Sequence, residues 1–194
     1  ASIPIVYEAT IMKSFPVHTI ESAPEKSRAS LQTLQSAFGM IPNMAGAMAA
    51  SPVLIDSLVG LFGKVHGGSF AEDHVQIVLL TDAVVNASGW AVAFHSALAL
   101  QQGISPADVN AIREGQLPKD SQYAALSTLA RALIEKRGHI RQHDMDQFLG
   151  AGFDKEHLLE IIAIVAASTM TNYTATMTNP PLEDVFQPYA WSND

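Results

Sequence analysis

His95 is the residue best placed to do chemistry. It lies in Ser88-Gly-Trp-Ala-Val-Ala-Phe-His95-Ser96, and no aspartate, glutamate, lysine or arginine occurs between Ala83 and Ala107. An imidazole there has few charged neighbours. Its protonation answers to burial and hydrogen bonding, which suits either a general acid or base or a hydrogen-bonded core histidine. Ser88 precedes it by two helical turns, about 10 Å along one face. That exceeds hydrogen-bond reach, so a serine nucleophile would need a kink or a bridging group. There is no Gly-x-Ser-x-Gly elbow.

Other motifs carry weaker signals. His139 and His143 have i, i+4 spacing, but no glutamate follows the first histidine and Gly138 places it outside a helix. No metal site is expected. His66 and His74 flank Gly67-Gly68 and are expected to be solvated. The glycine pair lacks the spacing of a dinucleotide or Walker loop, so no phosphate site is indicated. The chain of 194 residues contains no cysteine. That excludes a disulfide framework, a thiolate zinc site, a cysteine nucleophile and dithiol redox chemistry.

The elements that must position these groups are helical. Ser22-Ala-Pro-Glu25 and Ser69-Phe-Ala-Glu72 read as capping boxes, Ser51-Pro52 and Ser105-Pro106 as helix starts, and Asp154 as the cap of a last long helix. Leu31, Leu34 and Phe38 recur at helical spacing before Gly39, and Tyr123, Leu126, Ala130 and Leu133 do so before Gly138. The stretch from Glu72 reads as one apolar helix to about Val85, with a second, or the same after a kink, to Gly103. Asn179-Pro-Pro181 stops the last helix. The expectation is an all-α bundle of about seven or eight helices in one domain, residues 1–194, with an extended amino-terminal arm over 1–20. The two charge-free segments, 83–107 and 161–182, are expected to pack together at its centre, the second in the core or at a subunit contact.

Composition narrows the partners. Charged residues make up 15%, against a usual share of about 25%, which implies surface buried in an oligomer or an extensive core. The formal net charge of −8 argues against nucleic acid and anionic membranes, both of which need clustered cations. Lys136, Arg137 and Arg141 form the one dense basic group and read as a helix end. Residues 1–12 lack a secretory pattern, so a cytoplasmic location is expected.

The motifs together resemble the carboxymuconolactone decarboxylase superfamily, in its peroxidase-related, alkyl hydroperoxidase D-like branch. The resemblance rests on Phe38-Gly-Met-Ile-Pro-Asn43 with Ser51-Pro52, and on Phe70 to Gln76 with Val85 to Ala97. It extends through Gly103-Ile-Ser-Pro-Ala-Asp108 and Ala151 to Glu160, and ends on Thr171-Asn-Tyr173 with Pro181-Leu-Glu183. It covers roughly residues 15–190. The family's peroxidase branch carries a relay glutamate, a Cys-x-x-Cys pair and a histidine. By the resemblance these positions fall on Gln76, Ser88, Ala91 and His95. Gln76 cannot ionise, Ser88 cannot cycle through a disulfide and Ala91 has no functional group.

A thiol peroxidase of that mechanism is therefore rejected, and residual peroxidase activity ranks last. The leading expectation is a non-catalytic or small-molecule-binding homologue. The alternative is a cofactor-independent acid–base enzyme (a decarboxylase, isomerase or hydrolase of a small organic acid) using His95, with Gln76 and Ser88 holding a substrate oxygen. Asn86, Trp90, Ala91 and Asn172 are the expected pocket residues. No cofactor is expected. The expected partners are a small organic acid or peroxide-like ligand and further copies of the chain, as a dimer, trimer or hexamer.

Overall fold

The structure is a computed structural model that describes residues 14–193. Among these residues there are nine α-helices and no strand. In chain order they are α1 (Glu25–Phe38), α2 (Asn43–Met48), α3 (Pro52–Val65), α4 (Glu72–Val85), α5 (Gly89–Gln101), α6 (Pro106–Arg113), α7 (Ser121–Glu135), α8 (Gln142–Gly150) and α9 (Lys155–Thr178). A 3-10 turn over Asp184–Tyr189 follows. Eight of the helices have eight or more residues, as the sequence leads one to expect. The six-residue α2 and the 3-10 turn are additions, too short to show periodicity. Of the expected arm, residues 1–13 lie outside the described residues. Residues 14–18 have no regular structure, and His18 N–H donates to the Gly46 carbonyl.

The hub is α4. It packs against α5, α6, α7 and α9, and every residue from Val75 to Ala83 is buried. A helix segment covered on all sides needs no polar stripe, which is why Val75 to Ala83 is mostly apolar, with Gln76, Thr81 and Asp82 as its buried polar exceptions. The helices that carry the charge-free segments, α5 and α9, do touch each other, but both also pack on α4, so the centre is shared by three helices. At the α4–α5 elbow Ala87 adopts a left-handed conformation, φ 51°. This resolves the choice between one kinked helix and two in favour of two. Only one face of α9 is in the core, through Ile161, Ile164, Ala167, Ser168 and Asn172, while Leu159, Ile162, Tyr173 and Met177 are exposed. α9 is also the one described helix long and apolar enough to cross a membrane.

The expected amino-terminal boxes differ from what forms. α1 starts behind Pro24 with no side-chain cap, because Ser22 Oγ instead accepts from Thr19 N–H at 2.9 Å. α4 starts behind Ala71, also uncapped, and Ser69 N–H is taken by the Glu160 carboxylate at 2.8 Å. Ser51, Ser105 and Asp154 cap as expected, the last in a full capping box with His157. The basic group is organised by one acid: Lys136 and Arg141 both pair with the buried Asp144.

The segment after α9 is tied back across the bundle. The Glu183 carboxylate accepts from the Trp90 indole N–H at 3.0 Å and from the Asn43 backbone N–H. Arg113 donates to the Tyr189 and Ala190 carbonyls at 2.9 and 3.1 Å, and the Trp191 indole donates to the Arg113 carbonyl at 3.0 Å. Replacing Glu183 by alanine strands two donors at once. Glu183→Ala is expected to lower unfolding free energy by about 2 kcal/mol, read from urea denaturation, whereas Glu183→Gln keeps one acceptor and should lose less.

Candidate functional site

Because no serine caps α4, Glu72, its first residue, is free to turn towards the end of α3. Both carboxylate oxygens accept from His66 Nδ1–H, at 2.8 and 2.9 Å. One turn on, Gln76 Nε2 donates to Glu72 Oε1 at 3.0 Å, and Gln76 Oε1 meets His95 Nδ1 at 3.1 Å. Four side chains from α3, α4 and α5 thus form one hydrogen-bonded row, His66–Glu72–Gln76–His95.

The row has a fixed direction. A carboxylate only accepts, so Gln76 must present its amide N–H to Glu72 and its carbonyl oxygen to His95. That oxygen also only accepts, so His95 carries its proton on Nδ1 and keeps a lone pair on Nε2. Burial, with the nearby His66 charge adding to it, pushes His95 down to about 3. It is therefore neutral at physiological pH. Burial alone would raise Glu72, but the hydrogen bonds from His66 and Gln76 and the charge of His66 outweigh it. They hold the carboxyl below its ordinary range, ionised.

Three of the four open onto a cleft of about 800 Å³. His66, Glu72 and Gln76 line one end, and Phe38, Phe62, Phe94, Phe186 and Tyr189 supply aromatic wall. The four phenylalanine rings form a continuous cluster, with Phe38 edge-on to Phe62 and Phe94 (centroids 5.8 and 5.4 Å) and Phe94 edge-on to Phe186 (5.2 Å). The wall at Val185, Phe186 and Tyr189 comes from the 3-10 turn that Glu183 and Arg113 hold down. His95 does not line this cleft. It borders a separate apolar space of about 40 Å³, with Trp90, Leu34, Met44 and Thr171.

The expected site residues divide into two groups. Gln76 and His95 meet directly. Ala91 is fully buried core, and Trp90 stacks on Phe94 at 4.9 Å and serves Glu183. Ser88 is the N-cap residue of α5 and makes no bond to His95. Its hydroxyl, the amide nitrogen of Asn86, the carbonyl oxygen of Asn172 and both oxygens of Asp82 are buried without hydrogen-bond partners. Asn172 Nδ2 does donate to Ser168 Oγ at 3.1 Å. Burial pushes the Asp82 carboxyl well above the carboxylate range.

His66 and His74 are not solvated as expected. His66 rests on the Phe62 ring at 3.9 Å, and the His74 ring packs edge-on against Phe70, Phe153 and Tyr123. Sequence reasoning missed His66, Glu72 and Asp82. The signals were there: Glu72 and Gln76 are one helical turn apart, and Asp82 is a lone acid in an apolar helix. The Glu160 carboxylate occupies the space a Cβ at Gly68 would take, so a side chain there would displace that carboxylate. Among the described residues no group of three or more metal-ligating side chains forms.

No protein-family model matches the chain, and neither does any curated protein. Solved structures do match. The peroxidase-related protein with an alkylhydroperoxidase AhpD core from Ralstonia eutropha aligns at a TM-score of 0.78 with 17% identity, covering 89% of this chain and 93% of that one. A peroxidase-related protein from Silicibacter sp. gives 0.74, 16%, 89% and 91%. The debrominase Bmp8 gives 0.72, 17%, 87% and 91%. The chain has the AhpD-like fold. At this identity the likeness speaks for the fold alone.

Two buried titratable groups, His95 and Asp82, set opposite pH dependences. Unfolded His95 takes up a proton near pH 6.5, which the folded protein refuses until about 3, so stability drains as pH falls through that window. Folded Asp82 keeps a proton that the unfolded chain releases above about pH 4, so its contribution drains as pH rises. Relative to the parent, His95→Gln should gain roughly 2 to 3 kcal/mol between pH 7.5 and 4.5, and Asp82→Asn should gain in the reverse direction. Denaturation at both pH values checks each sign.

Proposed function

We propose that the protein binds a small aromatic-bodied molecule in the α3–α4–α5 cleft and carries no dithiol redox chemistry. The observation that carries this reading is the cleft itself. It has about 800 Å³, a wall of interlocked rings and a short polar row at one end, the build of a small-molecule site. With no thiol in the chain, peroxide reduction by a protein dithiol has no electron source. Bmp8, which has the same fold, has been solved in complex with 2,3,4-tribromopyrrole. That ligand belongs to Bmp8, and it supports the class of body this fold can enclose. A cofactor-independent acid–base enzyme is the second reading. The His66–Glu72 pair at the cleft favours it. His95 does not, because its low proton affinity makes it a poor base at neutral pH.

Two experiments test this. A thermal-shift series of neutral aromatics such as indole and phenol should raise the melting temperature, since only the native state binds. Val185 is 63% exposed and lines the cleft, so Val185→Trp should fill it without disturbing the core and abolish the shift. No shift in the parent, or an unchanged shift in the variant, overturns the reading. The second experiment rebuilds the missing chemistry. Ser88 and Ala91 sit at the amino-terminal end of α5, where a helix favours thiolate. Gln76→Glu, Ser88→Cys and Ala91→Cys together are expected to confer dithiol-dependent reduction of an alkyl hydroperoxide. A folded but inactive triple variant would sink the positional correspondence.

A further inference from the structure

The charge inside the cleft points away from an acidic ligand. Among its described lining residues there is no lysine or arginine, and apart from Tyr189 the only titratable side chains are His66 and Glu72. Glu72 is 33% exposed and lines the cavity, with its carboxylate accepting from His66 and Gln76. The same cavity is lined by Phe38, Phe62, Phe94, Phe186 and Tyr189. Aromatic faces carry negative potential and attract a cation lodged against them. A carboxylate ligand would meet Glu72 with no countercharge besides His66, which Glu72 already occupies, and the whole chain carries a net −8.

We infer that the ligand bears a protonated amine on an aromatic or apolar body, with the ammonium seated between Glu72 and the ring wall. This inference rests on the cleft being a small-molecule site, and it names the charge that site selects. The ammonium supplies N–H donors to the Glu72 oxygen lone pairs not used by His66 and Gln76. The apolar body fills the space between Phe38, Phe94 and Phe186.

The test uses three probes of one size and different charge: 2-phenylethylamine, 2-phenylethanol and phenylacetate. Binding is measured by calorimetry at pH 7.5 on the full chain. The amine should bind about tenfold more tightly than the alcohol, and phenylacetate more weakly than either. Glu72→Gln should erase the amine's advantage over the alcohol, read as the ratio of the two affinities in the same variant. Val185→Lys, at an exposed position on the cleft wall, should weaken the amine more than the alcohol, and it keeps the test decisive if Glu72→Gln folds poorly. If the alcohol or phenylacetate binds as tightly as the amine, the charge assignment falls and the cleft reading stands. If none of the three binds, both fall.

Discussion

Glu72 stands in the first turn of α4, where unpaired backbone N–H groups favour a negative charge. Burial works against that charge, and the two donors His66 and Gln76 restore it. Much of the site's polar order follows from keeping this carboxylate ionised. It sets the orientation of the Gln76 amide, that amide sets the tautomer of His95, and the pairing holds His66 beside Phe62. An amide in the middle also makes the row electrically discontinuous. Protons can be held at either end, but Gln76 cannot pass one along, as a glutamate at that position could.

The interior contains a second polar region with the opposite character. Around the elbow between α4 and α5, Asp82, Asn86, Ser88 and Asn172 are buried with unmet hydrogen-bonding capacity. Each such atom costs free energy, and the carboxyl responds by staying protonated. The same three-helix centre thus holds an ionised acid near one end of α4 and a neutral acid near the other. Burial and donors both separate them: Asp82 is fully buried without a hydrogen-bond partner, whereas Glu72 is partly exposed at the cleft and has His66 and Gln76 as donors.

Much of the fold was legible in the sequence because helix caps and apolar spacing are local. Ser51, Ser105, Asp154, Gly39 and Asn179 announced boundaries that formed. Ser22 and Ser69 misled, because the capping box depends on competitors for the serine and for the N–H groups, and those lie elsewhere: Thr19 in one case, Glu160 ninety-one residues away in the other. The site was legible in part. The pairing of Gln76 with His95 could be anticipated from the resemblance. The placement of His66 against Glu72 depends on how α3 turns into α4 through Gly67 and Gly68, and no periodicity encodes that turn. A glycine pair reads as a loop. It does not say which carboxylate will need the space.

The tie through Glu183 bears on when the cleft comes into being. Its two partners lie 140 and 93 residues away along the chain, whereas α4 and α5, which carry most of the polar row, are sequence neighbours. Closing long loops is entropically expensive, so local helix pairs assemble before distant ones reward the effort. The helical hub can therefore reach a nearly finished packing while one wall of the cavity is still absent. The finished cavity is in this sense a late acquisition of the folding chain. A population that looks native by helix content can still contain molecules whose cavity has not closed.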